Sequence, residues 1–211
     1  MKPRALLLCI LMILAMTAVT AYYYPALPEI MPTHWNYAGQ VDGYGARWQL
    51  WLVGPVLMSG FLLFAIALPW LSPKQFEVQN SGATYSYLMV IPVALFAAIE
   101  LFMLGSALGV KLDVARVLPA LAFVVLILMG NPMGKVRRNF FIGVRTPWTL
   151  ASEQVWHATH RLAGKLMVGS GVLGLLALWL GAPHWLLLVL MMAWTPVPIG
   201  YSLLLYKRLP Q

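Results

Sequence analysis

The chain has 211 residues, of which 61% are hydrophobic and 9% charged, with 14 Lys and Arg against 6 Asp and Glu and a mean hydropathy of +0.79. A soluble domain of this size carries about a quarter of its residues as charges, so the composition excludes a water-soluble globule and leaves an integral membrane protein. One cysteine, Cys9, excludes a disulfide framework or a thiolate metal cluster, and the net charge of +8 lies in loops flanking apolar runs rather than on a basic face, so no direct nucleic-acid partner is expected.

In chain order, six stretches supply the roughly 20 apolar residues that cross about 30 Å of hydrocarbon: residues 5–23, 49–71, 85–109, 114–131, 162–181 and 184–206. The expected fold is an all-α integral membrane protein, a bundle of about six transmembrane helices with a structured outer loop and an interfacial cytoplasmic helix. The first run follows Lys2 and Arg4 and ends in Ala18-Val-Thr-Ala21, which also fits a secretory signal. Cleavage would leave five spans with the basic loops on the wrong side, so the run is read as a retained anchor. Cys9 follows three leucines without the small residue a lipoprotein signal needs before its cysteine, so lipidation there is not expected.

Residues 22–48 contain Pro25, Pro28, Pro32, Gly39, Gly43 and Gly45, which predict tight turns rather than helix or sheet. Within them His34, Asn36 and Asp42, with Gly39 at a turn, sit beside Trp35, Tyr37 and Tyr44. The aromatics suit any membrane interface; the polar trio is a candidate contact for a ligand or peptide. Span three holds Glu100, whose charge would cost about 2.5–3.5 kcal/mol on insertion scales. It should face protein or water, either as a proton or ligand site or as a neutral carboxyl hydrogen-bonded across helices.

Asn131-Pro132 closes span four, and Lys135-Val-Arg-Arg-Asn139 is a basic patch suited to an anionic leaflet, at about 1 kcal/mol per basic residue. Gly143 permits a turn. Arg145-Thr-Pro-Trp-Thr149 reads as a helix start, with Thr146 or Thr149 as cap and Glu153 in the first turn. Glu153, His157 and His160 share a helical face, a weak metal pattern that a cap or an ion pair from Glu153 to Arg161 explains more cheaply. No metal or cofactor is expected. Ser170, Gly171, Gly174, Ala177 and Gly181 form a stripe of small residues along span five that allows close helix approach.

Six spans place both termini on one side. With that side cytoplasmic, the inner segments hold Lys2, Arg4, Lys74, Lys135, Arg137, Arg138, Arg145, Arg161, Lys165, Lys207 and Arg208, eleven of the 14 basic residues, and the outer ones only Arg47, Lys111 and Arg116. Such an excess orients the chain N-in and C-in.

Two blocks carry a family resemblance. Tyr24-Pro-Ala-Leu-Pro28, then Pro32-Thr-His-Trp-Asn36, Gly39 and Asp42, resembles the N-terminal domain of unknown function of the sporulation-delaying-protein type of bacterial immunity proteins. The second block, Gly130-Asn131, Lys135, Asn139-Phe-Phe-Ile-Gly143-Val-Arg-Thr-Pro-Trp-Thr149, Val155-Trp156 and Thr159-His-Arg-Leu-Ala-Gly164, resembles the C-terminal signature of that SdpI-like family. In it the signature residues are Asn139, Gly143, Arg145, Thr146, Pro147, Trp148, Trp156, Thr159, His160, Arg161 and Gly164. The resemblance implies a multi-pass protein of the bacterial plasma membrane that protects against a secreted, membrane-active peptide toxin. In members of this kind a cytoplasmic transcriptional repressor is also held at the membrane.

The expected organisation is 1–71 for the N-terminal domain, 72–124 for linking spans and 125–211 for the signature domain. His34, Asn36, Gly39, Asp42 and Glu100 are the candidate toxin contacts, and the expected partners are the lipid bilayer, a peptide toxin and a repressor. The rival readings are a small proton-coupled transporter or channel around Glu100 and a membrane metalloenzyme using Glu153, His157 and His160.

Overall fold

The structure is a computed structural model, and it describes residues 1–111 and 113–209. Among the described residues six helices are long and apolar enough to cross a membrane: Pro3–Ala26, Gln49–Leu71, Gly82–Ala107, Val114–Lys135, Glu153–Trp179 and His184–Arg208. The chain is thus a multi-pass all-α membrane protein, as its hydropathy pattern predicts. The residues fall into two compact units, one of Lys2–Ile66 and Met89–Pro119, the other of Met1, Ala67–Leu88 and Ala120–Gln211.

Helix α1 (Pro3–Tyr23) starts on a proline, whose missing N–H is one the first turn leaves unbonded anyway. It is followed by a hairpin, β1 (Ile30–Trp35) paired antiparallel with β2 (Val41–Ala46). The hairpin corrects the expectation that residues 22–48 form turns without sheet. The register shifts between Pro32 and His34 and again between His34 and Trp35. The extra residue is Thr33 on β1 at the first shift and Asp42 on β2 at the second, while Pro32 keeps Tyr44 as its partner. Gly43 lies opposite His34, where an added Cβ would stand 2.8 Å from the histidine Cβ. Met31 is fully buried in a cluster with Leu27, Leu50, Met103 and Leu104, against which Val19, Tyr24, Trp35, Val53, Ile99 and Ala107 pack. One side of the hairpin is therefore apolar and covered, and the other carries exposed Ile30 and Tyr44.

Helix α2 (Gln49–Leu71) widens into a π turn over Leu52–Val56, where Pro55 removes a donor. Helix α3 (Gly82–Ala107) and helix α4 (Val114–Gly130) follow. After the signature segment come the short α5 (Pro147–Ala151) and the long α6 (Glu153–Trp179). The last span is α7 (His184–Met192) continued by α8 (Pro196–Arg208), the break falling at a proline.

The helix start read at residues 145–149 opens α5, which ends at Ala151, and α6 begins anew at Glu153. Ser152 caps it by accepting from the Val155 N–H, so the polar stretch before the apolar run joins the helix. The small-residue stripe meets α4: a Cβ at Gly171 would strike Ile127 and the Phe123 carbonyl, and one at Gly174 the Phe123 ring. Gly181 does not belong to that face. It adopts φ +74 just past the helix end, with its N–H on the Leu178 carbonyl and the Ala182 N–H on that of Ala177. This is a Schellman stop, a position that favours glycine for its backbone freedom.

Orientation is directly testable, because Gln154 is exposed at the start of α6. With Cys9 replaced, a Gln154→Cys protein in intact cells should resist an impermeant thiol reagent and react after permeabilisation. Reaction from outside would invert the topology derived from the basic residues.

Candidate functional site

In the hairpin-bearing unit, His34 and Asp42 are joined across the strands, Nδ1 to Oδ1, at 2.5 Å, with both side chains well exposed. A carboxylate on Nδ1 orients the ring and leaves Nε2 facing outward. Asn36 works differently. Its Oδ1 accepts from the Ala38 N–H at 2.9 Å and the Gln40 N–H at 3.0 Å, while its Nδ2 donates to the Gln40 side chain at 3.2 Å. That is an Asx-type turn, and it occupies the side chain locally. Gly39 completes the turn at φ +77, and a Cβ there would come within 2.8 Å of the Ala115 nitrogen. Asn36 and Gly39 therefore shape the loop that presents His34 and Asp42. Trp35 stacks edge-on with Phe102 at 4.8 Å between centroids, and Arg47 donates to the Leu27 carbonyl and lies over Tyr24.

Glu100, next along α3 from Ile99 of the apolar cluster around Met31, is fully buried. The Thr20 hydroxyl of α1 donates to its Oε1, and Gly54 of the π turn in α2 lies directly against the carboxyl. Neither partner was evident in the sequence. The signal was a Gly54-Pro55 pair inside an apolar run, which marks a helix irregularity.

In the other unit the signature residues Asn139, Thr146, Trp156 and His160 are buried and hydrogen-bonded, while Arg145 and Arg161 are exposed. Asn139 is buried and closes a loop: its Oδ1 accepts from the N–H groups of Phe141 and Ile142 at 2.8 and 2.7 Å, and its Nδ2 donates to the carbonyls of Arg137 and Ile142. Thr146 caps α5 through a reciprocal bond with Thr149, whose hydroxyl also donates to the Val144 carbonyl. The Thr146 hydroxyl reaches Ser202 of α8 at 3.2 Å. Pro147 occupies the first helical position, where it needs no donor, and Trp148 beside it is half-buried.

Trp156 and His160, one turn apart on α6, are both fully buried and stack at 3.9 Å. The Trp156 indole N–H donates to the Val136 carbonyl at 2.7 Å. His160 Nε2 accepts the Val144 N–H at 3.0 Å, and Nδ1 lies 2.7 Å from the Trp156 carbonyl. A backbone N–H only donates and a carbonyl only accepts, so His160 is neutral with its proton on Nδ1. Both ring nitrogens are engaged, which leaves no lone pair for a metal. Glu153 instead approaches His157 at 3.6 Å on an exposed part of the helix, a pairing with neither the cap nor Arg161. The three residues of the metalloenzyme reading thus split between a buried lock and a surface pair.

Gly143 stands against His160 with φ +112, and Gly164 lies against the Gly130 carbonyl. Thr159 is buried, and Arg161 is exposed with its stem beside Gly134. Arg145 is exposed and donates to the Phe140 carbonyl at 2.5 Å. Arg138 is the more integrated arginine: it donates to the Leu150 carbonyl at 2.9 Å and lies over the Phe76 ring, which itself meets Phe140 edge-on. The sequence marked Arg138 only as part of a basic patch.

The SdpI/YfhL protein family matches residues 135–202, which include the buried polar residues from Asn139 to Ser202. A domain of unknown function, DUF1648, matches residues 11–58, which include the hairpin, Thr20 and Gly54. The chain is 26% identical over 171 residues to the Immunity protein SdpI of Bacillus subtilis (strain 168), covering 81% of this chain and 79% of that one. No solved structure matches it.

Proposed function

We propose that the chain, which matches the SdpI/YfhL protein family over residues 135–202, is a non-enzymatic immunity protein of the bacterial membrane, protecting its cell against a secreted, membrane-active peptide toxin. The observation that carries the reading is the similarity to Immunity protein SdpI across 81% of the chain, rather than over a single motif. The toxin contact is assigned to the exposed face of the hairpin, where His34 and Asp42 stand outside the hydrocarbon on a turn built by Asn36 and Gly39. A hydrogen-bonded His–Asp pair flanked by exposed Tyr37 and Tyr44 offers both polar and aromatic contact to a peptide lying at the interface.

A second role rests on the signature segment. Lys135, Arg137, Arg145 and Arg161 are exposed around a rigid core, a surface suited to an acidic face of a cytoplasmic repressor. In this reading the core holds the basic residues in place, and Arg145 is singled out because it also donates to the segment's own backbone, at the Phe140 carbonyl.

The test is survival. Bacillus subtilis cells deleted for SdpI and expressing this chain should withstand the killing activity of the parental strain better than cells carrying an empty vector. His34→Ala and Asp42→Ala variants should reach the membrane at normal levels and lose at least half of the gain in survival. Unchanged sensitivity with the parent chain in the membrane would remove the immunity reading. Full protection by both variants would instead move the contact away from the hairpin.

A further inference from the structure

The toxin contact assigned to the hairpin makes no use of Glu100. Of the six acidic side chains in the sequence it is the one that is fully buried among the described residues. Thr20 donates to Oε1, and Oε2 has no hydrogen-bond partner among the described residues. Three separate helices meet at this carboxyl at matching depth. Thr20 is in the last turn of α1, Gly54 in the second turn of α2 and Glu100 about two turns before the end of α3.

The charged groups of the same unit are occupied elsewhere. Arg47 binds the Leu27 carbonyl and Tyr24, His34 pairs with Asp42, and Arg116 pairs with Asp113. Lys2 and Arg4 lie at the opposite end of α1 from Thr20, roughly 27 and 24 Å away at 1.5 Å per residue. Cys9 is also distant, about 16 Å along the same helix. Glu29 precedes the hairpin and Lys111 follows the end of α3, both exposed. The elements packed on Glu100 thus present a hydroxyl from α1 and the backbone of a π turn from α2.

A carboxylate compensated by one hydroxyl is costly in a low-dielectric interior, whereas a carboxylic acid is tolerated. The π turn supplies the other half of a switch. Such turns hold one residue more than the helix needs, and they recur at functional positions. Gly54 has no side chain between the turn and the carboxyl, and Pro55 has already removed one backbone donor.

We propose that Glu100, Thr20 and the Gly54 turn form a proton-binding site within the membrane, with the proton held on Oε2 in the arrangement seen and released when the turn shifts to offer that oxygen a donor. The step is an ionisation: the O–H bond breaks, the electron pair stays on the carboxylate and the proton passes to water. The site stands independently of toxin protection.

Infrared difference spectroscopy of the purified chain in alkyl maltoside micelles, which contribute no carbonyl band, tests it. Near neutral pH the parent protein should show the carbonyl stretch of an un-ionised carboxylic acid, and raising the pH should abolish it reversibly. Glu100→Gln keeps an acceptor for Thr20 and should lack the band. Thr20→Val, which retains Glu100, should shift it. The proposal fails if the parent shows no acid band near neutral pH, if the band survives in Glu100→Gln, if Thr20→Val leaves it unmoved, or if it persists at every pH at which the protein remains folded.

Discussion

Alanine in place of Trp156 should destabilise the chain by about 3–5 kcal/mol, the range for truncating a large buried aromatic. The indole is fully buried, stacks on His160 and donates to the Val136 carbonyl. Its loss removes apolar contact, leaves the buried carbonyl without its donor and deprives His160 of the surface that orients it. Trp156→Phe separates these effects: it keeps a ring for the stack and gives up the hydrogen bond, for an expected cost of about 1–3 kcal/mol. Unfolding in mixed micelles of graded denaturing detergent reads both values, and membrane accumulation should fall in the same order. An alanine variant as stable as the parent would show that the signature segment is held by something other than this lock.

Gly143→Ala should be nearly as damaging despite adding one methyl group. At φ +112 the backbone lies in a region that L residues occupy only under strain, at about 1–3 kcal/mol. The new Cβ would also strike His160 at Nε2, the atom that accepts the Val144 N–H. Displacing the ring breaks that bond and the one to the Trp156 carbonyl, at about 1 kcal/mol each. The double variant Gly143→Ala with His160→Ala separates strain from collision. With the ring gone, the glycine substitution should cost only its backbone strain, so the two effects should be clearly non-additive. Strict additivity would mean that Gly143 and His160 do not communicate, and the glycine would then matter for its turn alone.

The same pair shows how much of the site was legible. Gly143 and His160 both stand out in the sequence, the first as a turn and the second as part of a family signature. Nothing in their order says that one leaves room for the other. The neutral tautomer of His160 follows from a carbonyl one helical turn back and from an N–H in the preceding loop, a non-local fact. For the same reason a face of Glu153, His157 and His160 read as a weak metal pattern: helical spacing gives direction around an axis but not which residues the rest of the chain covers.

The sequence by itself determined the membrane class, the six spans and the charge asymmetry, because hydropathy over about 20 residues is a local sum that the bilayer reads directly. It also marked both family blocks, whereas Gly181, read there as part of a packing stripe, became a helix stop only through its backbone geometry. Tertiary structure alone decided the hairpin, since strand pairing joins residues such as Ile30 and Ala46 that no local pattern links, and the prolines and glycines between them argue for turns. It alone decided that Asn36 builds its turn while His34 and Asp42 face outward, and that Arg138 is tied into the fold while Arg145 is exposed. It brought Thr20, Gly54 and Glu100 to one point from three helices. Burial of a polar group depends on which surfaces meet, and that is a property of the assembled chain rather than of any segment.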